Sequence, residues 1–482
     1  MGGCLWGSFH FDDYSLFSGS LWTPWLIRPL TYLTFWLNGA LDGHDPVGYH
    51  AVNLALHVAA ALLLRAALAR WIGPNAALIA AAIFAAHPFS AETVNYIFAR
   101  SSVLETVLCL ASLFEWSRGR HGRATAWFGA ALLAKEECVA FPLFLLLLNV
   151  SLARDRRERK WILAMLALAA AEGIHILLAT TATAGSGAGA QSGVTWGAYA
   201  SAQGLVILRY LRLTVVPWGF SVDPEVAIPG IALSVAAWTA VFALAGIALR
   251  RFRGAGAGFW FISGLLLLLP SSSALPASDL MADRRMYLPM IAFAACAGVL
   301  LQKVRPAILL PALAALMALS VVRTETWRTE ESLWRDAMEK APNKVRPKIQ
   351  LARTLEPKAA LDLLEQAKSE APDDPVIAAE EGRVYLNSGK PEMALGAFGR
   401  ALALSPHDAA ALNNRGAALL ALGQTEAARQ DFERALTIDS CEFDARLNLL
   451  RLGAGGPTTG NCRYSPEQWD ALRRAEAATG RK

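Results

Sequence analysis

Residues 87–100 read HPFSAETVNYIFAR and place His87, Glu92, Asn95, Tyr96 and Arg100 between two apolar runs, 75–86 and 101–116. A charged side chain at bilayer depth costs about 2.5–3.5 kcal/mol on insertion scales, so this cluster belongs at a membrane face or in a wet cavity. The competing reading is an interfacial loop with Tyr96 and Phe98 in an aromatic belt and Arg100 snorkelling. Other isolated cations follow the same habit: Arg28, Lys135, Arg209, Arg212, Arg284 and Arg285 occur singly or in pairs beside polar residues. As a set they suit an anionic ligand, because guanidinium groups make permanent, bidentate contacts to phosphate or carboxylate. Taken one at a time, they also suit pairing with Glu92, Glu136, Glu137, Asp223 or Asp283.

His50, Asn53 and His57 lie at i, i+3 and i+7 and share one helix face. His57 is expected to bond a neighbouring helix, Glu172 and His175 to satisfy each other, and His50 and His87 to lie near the outer face as weaker site candidates. Asp12 and Asp13, read alone, are a solvated loop or a helix cap. Two adjacent carboxylates also suit a divalent cation. The six cysteines stand singly at 4, 109, 138, 296, 441 and 462 without a CxxC, which argues against a cysteine metal site. Cys441 and Cys462 form either a disulfide, in an oxidising compartment, or two unpaired thiols.

The elements that must position these groups are mostly apolar. The 482 residues are 54% hydrophobic and only 18% charged, with mean hydropathy +0.34, which excludes an ordinary soluble protein. The net charge of +5 resides in short Arg clusters between apolar runs, so it follows the positive-inside rule and indicates no nucleic-acid groove. No Lys or Arg precedes an apolar run at the N-terminus, so no signal peptide is expected. Residues 1–47 read as an external loop with the acidic pair and an interfacial helix. Residues 48–323 hold about ten apolar runs, several shorter than the ~20 residues that cross ~30 Å of hydrocarbon. Five cation clusters, at 65–70, 118–123, 154–160, 250–253 and 303–305, fall on the cytoplasmic side if 199–217 is re-entrant. The opposite face then receives the isolated cations and everything after Arg323.

Residues 324–340 read as a connecting amphipathic helix. A 34-residue period follows within 341–452: Gly382, Gly389, Ala394, Phe398 and Ala401 recur as Gly416, Gly423, Ala428, Phe432 and Ala435. This is the spacing of the helix-turn-helix tetratricopeptide repeat (TPR). An earlier unit, 341–371, is shortened near Glu356 and Pro357, and 440–452 caps the array. Residues 453–482 begin with a linker, 453–459, and end in a polar, helical tail.

In order and spacing, several short motifs resemble the transmembrane and TPR O-mannosyltransferase family, within the polytopic GT-C type glycosyltransferases that use lipid-phosphate sugars. They are Phe11-Asp12-Asp13, Arg28-Pro29-Leu30, Tyr49-His50 with Asn53 and His57, His87-Pro88 with Glu92 and Arg100, and Lys135-Glu136. Further along stand Arg209-Tyr210-Leu211-Arg212 with Pro217, 283–289 (DRRMYLP), and Trp327 with Leu333-Trp334. The resemblance implies an all-α fold: a GT-C-like membrane domain of about ten helices followed by a small TPR solenoid. It implies Asp12 as general base, with Asp13 orienting the acceptor, and Arg284, Arg100, Lys135 and Arg209 around a donor phosphate. Arg28, His50, His87, Glu92, Glu136, Arg212, Asp283 and Tyr287 are further site candidates. Two departures stand out. The family's first transmembrane helix precedes its acidic pair, whereas here only MGGCLWGSFH does, which points to a misassigned start or a defective copy. The family's Glu-Arg is replaced by Asp283-Arg284.

The expected activity is transfer of a mannose-like sugar from polyprenyl phosphate, as co-substrate, to Ser or Thr of exported protein. No cofactor is obligatory, and a divalent cation is compatible. The expected setting is a bacterial inner membrane, with the active site and repeats on the periplasmic side and a protein partner on the repeats. The alternatives are a non-catalytic TPR scaffold for envelope assembly and a lipid-linked glycan ligase or polymerase.

Overall fold

The computed structural model describes residues 27–43, 45–152, 158–182, 193–252, 254–274, 276–454 and 466–478, together with residues 5, 8, 10, 13, 462 and 464. The described chain is all-α and divides into two compact units, the first ending at Thr329 and the second beginning at Glu330.

The first unit contains α1 (Pro29–Asp42), α2 (Pro46–Ile72), α3 (Pro74–Ala86), α4 (Phe89–Asn95), α5 (Arg100–Ser117), α6 (His121–Ala134) and α7 (Phe141–Ser151). It continues with α8 (Arg159–Ala182), α9 (Trp196–Val215), α10 (Ile231–Arg250), α11 (Ala257–Leu269), α12 (Met290–Leu301) and α13 (Pro306–Thr326). Prolines at the first turn open α1, α2, α3 and α13, where the missing N–H has no partner to lose. Among the described residues, five helical segments are long and apolar enough to cross a membrane: Pro46–Ile72, Ile97–Ser117, Arg159–Ala179, Ile231–Arg250 and Pro306–Thr326. The expected ten apolar runs therefore include several short or broken helices. α3 and α4 form a pair bent by 58°. The bend is written in the sequence: His87 precedes Pro88, which disfavours the helical region for it, and it takes φ −75°, ψ 134°.

The second unit contains α14 (Glu330–Lys340), α15 (Val345–Ala352), α16 (Pro357–Glu370), α17 (Pro375–Asn387), α18 (Pro391–Leu404), α19 (Ala409–Ala421), α20 (Thr425–Ile438), α21 (Phe443–Arg451) and α22 (Pro466–Ala478). The expected connecting helix 324–340 is divided, since α13 runs to Thr326 and α14 starts a new unit at Glu330. The 34-residue period has a packing cause. Gly382 and Gly416 leave room for the rings of Phe398 and Phe432, which a Cβ would approach to 2.7 and 2.6 Å. Gly389 and Gly423, at φ 70° and 76°, turn one helix of a pair into the next. α15 is only eight residues long, as the shortened first unit required. A disulfide joins Cys441 to Cys462, and α22 packs Leu472 and Ala475 against Leu447 and Leu450 of α21. The expected helical tail thus forms α22, which packs on α21, while residues 455–459 of the expected linker lie outside the described residues.

Candidate functional site

The site is built around the α3–α4 bend of the first unit. Glu92 sits in the first turn of α4, is 2% exposed, and accepts from Arg284 Nη1 at 3.1 Å. Its other oxygen, Oε2, is buried without a hydrogen-bond partner among the described residues. Arg284 belongs to a short 3-10 turn, Asp283–Met286, and keeps 30% of its side chain exposed; Asp279 Oδ2 lies 3.7 Å away. Burial works to lower the Arg284 pKa, and the Glu92 carboxylate more than reverses that, holding it above the ordinary arginine value.

Three side chains of α9 fix this turn. Tyr210 Oη donates to the Ala282 carbonyl at 2.8 Å and accepts from the Ala282 N–H at 3.0 Å. Gln203 donates to the Leu280 carbonyl at 3.1 Å, and the Tyr199 hydroxyl meets Arg285 Nη1 at 3.5 Å. Arg285 is therefore structural, since it also donates to the Asp279 carbonyl at 2.9 Å. Asp283 is buried within electrostatic reach of Arg209. Among the described residues Arg209 makes only long hydrogen bonds, 3.4 Å each, to the Glu225 and Gly219 carbonyls, and its Nε has no hydrogen-bond partner. Beside it opens a small cleft of about 210 Å³, lined by Leu205, Val206, Val226, Pro229 and Leu233. Arg212 is exposed and donates to the Trp218 carbonyl at 3.3 Å.

One helical turn beyond Glu92, Tyr96 stacks on Trp327 at 6.2 Å, and the Trp327 carbonyl meets His10 Nε2 at 2.8 Å. The N-terminal segment is pinned here. Asp13 is fully buried, with Oδ2 accepting from the His10 N–H at 2.9 Å and Oδ1 from the Phe98 N–H at 2.7 Å. This geometry corrects the expected role of Asp13: its oxygens anchor the segment rather than face an acceptor. Asp12 lies outside the described residues.

Arg100, expected at a donor phosphate, is instead wholly buried and committed. It donates to Asn53 Oδ1 at 2.7 Å, Asn38 Oδ1 at 2.6 Å and the Tyr49 carbonyl at 2.9 Å, and lies 4.5 Å over the Phe35 ring. Lys135 is likewise enclosed, at 2.8 Å from both Ser102 Oγ and Glu137 Oε2. Arg28 grips Glu136 with both prongs, Nε at 2.9 Å and Nη2 at 2.5 Å. Burial alone would push Glu136 up, but the Arg28 guanidinium holds it down at about 2. That grip also offsets the cost, roughly 1 kcal/mol or more, of holding Arg28 at φ 58°. His57 bonds the Tyr287 hydroxyl at 2.7 Å and the Ala85 carbonyl at 3.2 Å, as its helix-to-helix reading required, which also accounts for Tyr287. His50 is buried on the same helix face. His87 stacks on Phe89 at 5.3 Å and meets the Thr214 carbonyl at 3.3 Å. Glu172 and His175 meet at 3.4 Å. Among the described residues no group of three His, Cys, Asp or Glu gathers for a metal ion. The structure thus pairs Glu92 with Arg284, puts Arg209 within electrostatic reach of the neighbouring Asp283, and sets Arg28, Lys135, Glu136 and Arg100 in separate internal contacts.

The sequence reading assigned no role to Tyr199 or Gln203, and quoted Tyr210 only within the Arg209-Tyr210-Leu211-Arg212 motif. Their spacing of i, i+4 and i+11 put one polar face on α9, and that was the available signal.

The fold and site describe an all-α chain in which apolar helices enclose a charged cluster and a helical repeat array follows. The tetratricopeptide repeat family model matches residues 380–443. The curated relatives are protein O-mannosyl-transferases, the family that the motifs resemble. TMTC3 of Mus musculus is 29% identical over 145 residues, covering 24% of this chain and 16% of that protein. Tmtc3 of Drosophila melanogaster is 33% identical over 142 residues, covering 23% and 15%. TMTC1 of Homo sapiens is 38% identical over 93 residues, covering 19% and 10%. These similarities lie in the repeat region, and the chain spans about a sixth or less of the length of these relatives. Among solved structures, the chain is similar to YrrB, "a TPR protein with an unusual peptide-binding site", at 20% identity and TM-score 0.24, covering 36% of this chain and 87% of that one.

Proposed function

We propose that this protein is an integral membrane glycosyltransferase that moves a mannose-like sugar from a polyprenyl-phosphate donor to Ser or Thr hydroxyls of exported protein. The observation that carries the reading is the pairing of buried Glu92 with half-open Arg284, with Arg209 nearby. Among the described residues Arg209 Nε has no hydrogen-bond partner, while Arg284 gives Nη1 to Glu92 and holds Nη2 at 3.7 Å from Asp279 Oδ2 with 30% of its side chain exposed. As the bond between the sugar's anomeric carbon and phosphate oxygen breaks, the phosphate leaves with the electron pair, and two fixed guanidinium groups stabilise the charge that develops. Asp12 takes the proton of the acceptor hydroxyl, whose oxygen forms the new bond from the opposite face, so configuration inverts. Asp13 holds the segment that carries Asp12. Arginines recognise the phosphate in this scheme, and no obligatory cofactor enters it.

The disulfide of the repeat unit suits an oxidising compartment, which agrees with a periplasmic, extracytoplasmic side and with the distribution of cation clusters. The repeats take an extended peptide or a protein partner, a use that helix-pair arrays serve through their concave face.

Transfer of labelled sugar from polyprenyl phosphate into protein, measured in membranes, tests the reading with Arg209→Gln. Loss of one fixed donor should cost about 10²- to 10³-fold in rate, with the amount of folded protein unchanged. An Arg209→Gln variant as fast as wild type would remove Arg209 from the donor site.

A further inference from the structure

A second charged feature lies where α2 ends and α5 gives way to α6. A cavity of about 510 Å³ is lined there by Ala66, Arg70, Phe114, Ser117, Arg118 and Arg120. Arg70 spends one N–H on the Ser117 carbonyl at 2.7 Å, which fixes its guanidinium at the rim and covers an open end of α5. Arg118 lies 4.3 Å over the Phe114 ring, and its guanidinium donates to no group among the described residues. Arg120 contacts Glu115 at 3.5 Å; that carboxylate is the one anionic partner recorded for the three cations among the described residues. The cavity therefore carries an excess of two positive charges.

The second observation is apolar. Val58, Leu62, Ala66 and Arg70 follow one another at steps of four along α2, so they form a single stripe that ends at the cavity. Val58 is 50% exposed and Leu62 61% exposed, so the stripe faces out of the unit. A soluble anion would have no use for such a stripe, whereas an amphiphile has both parts.

We infer that the Arg70, Arg118 and Arg120 cavity binds the phosphate headgroup of an anionic phospholipid, with an acyl chain along Val58, Leu62 and Ala66. The inference rests on the membrane reading above and not on the transferase reading. Basic pockets at helix ends suit anionic headgroups of the cytoplasmic leaflet.

The test uses the full chain in detergent and a fluorescent short-chain phosphatidylglycerol, with phosphatidylcholine and inorganic phosphate as competitors. Each surface cation contributes about 1 kcal/mol, or about fivefold, so Arg118→Gln with Arg120→Gln should weaken phosphatidylglycerol roughly 30-fold. Leu62→Gln should weaken it as well. Arg123→Gln, an exposed cation that does not line the cavity, should leave it unchanged. Neither competitor should displace the probe. Displacement by inorganic phosphate would mean a soluble-anion site, and an equal loss in Arg123→Gln would mean diffuse attraction; either overturns the inference, as does wild type that binds both lipids alike. Release of the chain from membranes by alkaline carbonate would instead overturn the membrane reading itself.

Discussion

Replacing Arg284 by Gln separates structure from chemistry at the candidate site. Glu92 is 2% exposed, and Arg284 Nη1, at 3.1 Å, is its one hydrogen-bond partner from another side chain among the described residues. Breaking a fully buried pair from one side costs about 3–5 kcal/mol, because the remaining charge is left uncompensated. Arg284 is 30% exposed, so water reaches the vacated position and screens part of the field; roughly 2 kcal/mol is the expected loss. For a unit of this size, that lowers the unfolding midpoint by about 4 °C, read by tryptophan fluorescence on heating the detergent-solubilised chain. Adding Glu92→Gln removes the stranded charge and should restore most of the midpoint. Sugar transfer should stay low in the double variant, since Arg209 then faces the donor phosphate without the second guanidinium. A midpoint unmoved by Arg284→Gln, or no recovery in the double variant, would refute the pairing argument; full transfer by the double variant would refute the phosphate role.

Three further outcomes follow from the same geometry. Gly416→Ala drives a Cβ to 2.6 Å from the Phe432 ring and should cost the repeat unit about 1–3 kcal/mol, whereas Gly399→Ala meets nothing within 4 Å and should be neutral or stabilising; thermal melts of both variants decide. Cys441→Ser opens a 21-residue separation and should destabilise the array by about 3 kcal/mol, with non-reducing gels showing the bridge in wild type alone. Burial lowers His10 from 6.5 to about 4, partly opposed by its bond to the Trp327 carbonyl, so between those values the unfolded chain binds the extra proton. Its contribution, up to about 3 kcal/mol, is present above pH 6.5 and is lost as pH falls toward 4; His10→Gln should flatten that part of the stability profile.

Periodicity carried most of what the sequence disclosed. Gly382 and Gly416 announced the repeats because a ring needs the same vacancy every 34 residues. His57 was legible as a helix-to-helix contact because a neutral imidazole inside an apolar helix must find a partner, and Tyr287 is that partner. Arg100 was misread for a physical reason: a cation flanked by apolar residues looks the same whether it meets a ligand or a set of carbonyls. Its acceptors, Asn38, Asn53 and Tyr49, come from two helices distant in sequence. Lys135 and Arg28 were ambiguous in the same way, and partners at Ser102, Glu137 and Glu136 decided them. Asp13 looked like a solvated acid until two backbone donors, one of them 85 residues away, enclosed it. The number of spanning helices was blurred by the His87-Pro88 break, which turns one apolar run into a bent pair.

The central proposal is tested most directly by following labelled mannose from polyprenyl phosphate into protein, in membranes holding equal amounts of folded wild type and Asp12→Asn. The proposal predicts transfer by wild type and a loss of about 10²- to 10⁴-fold in the variant, the contribution of a positioned general base. Folded wild type that transfers nothing with donor in excess, or a variant that keeps the full rate, would contradict it.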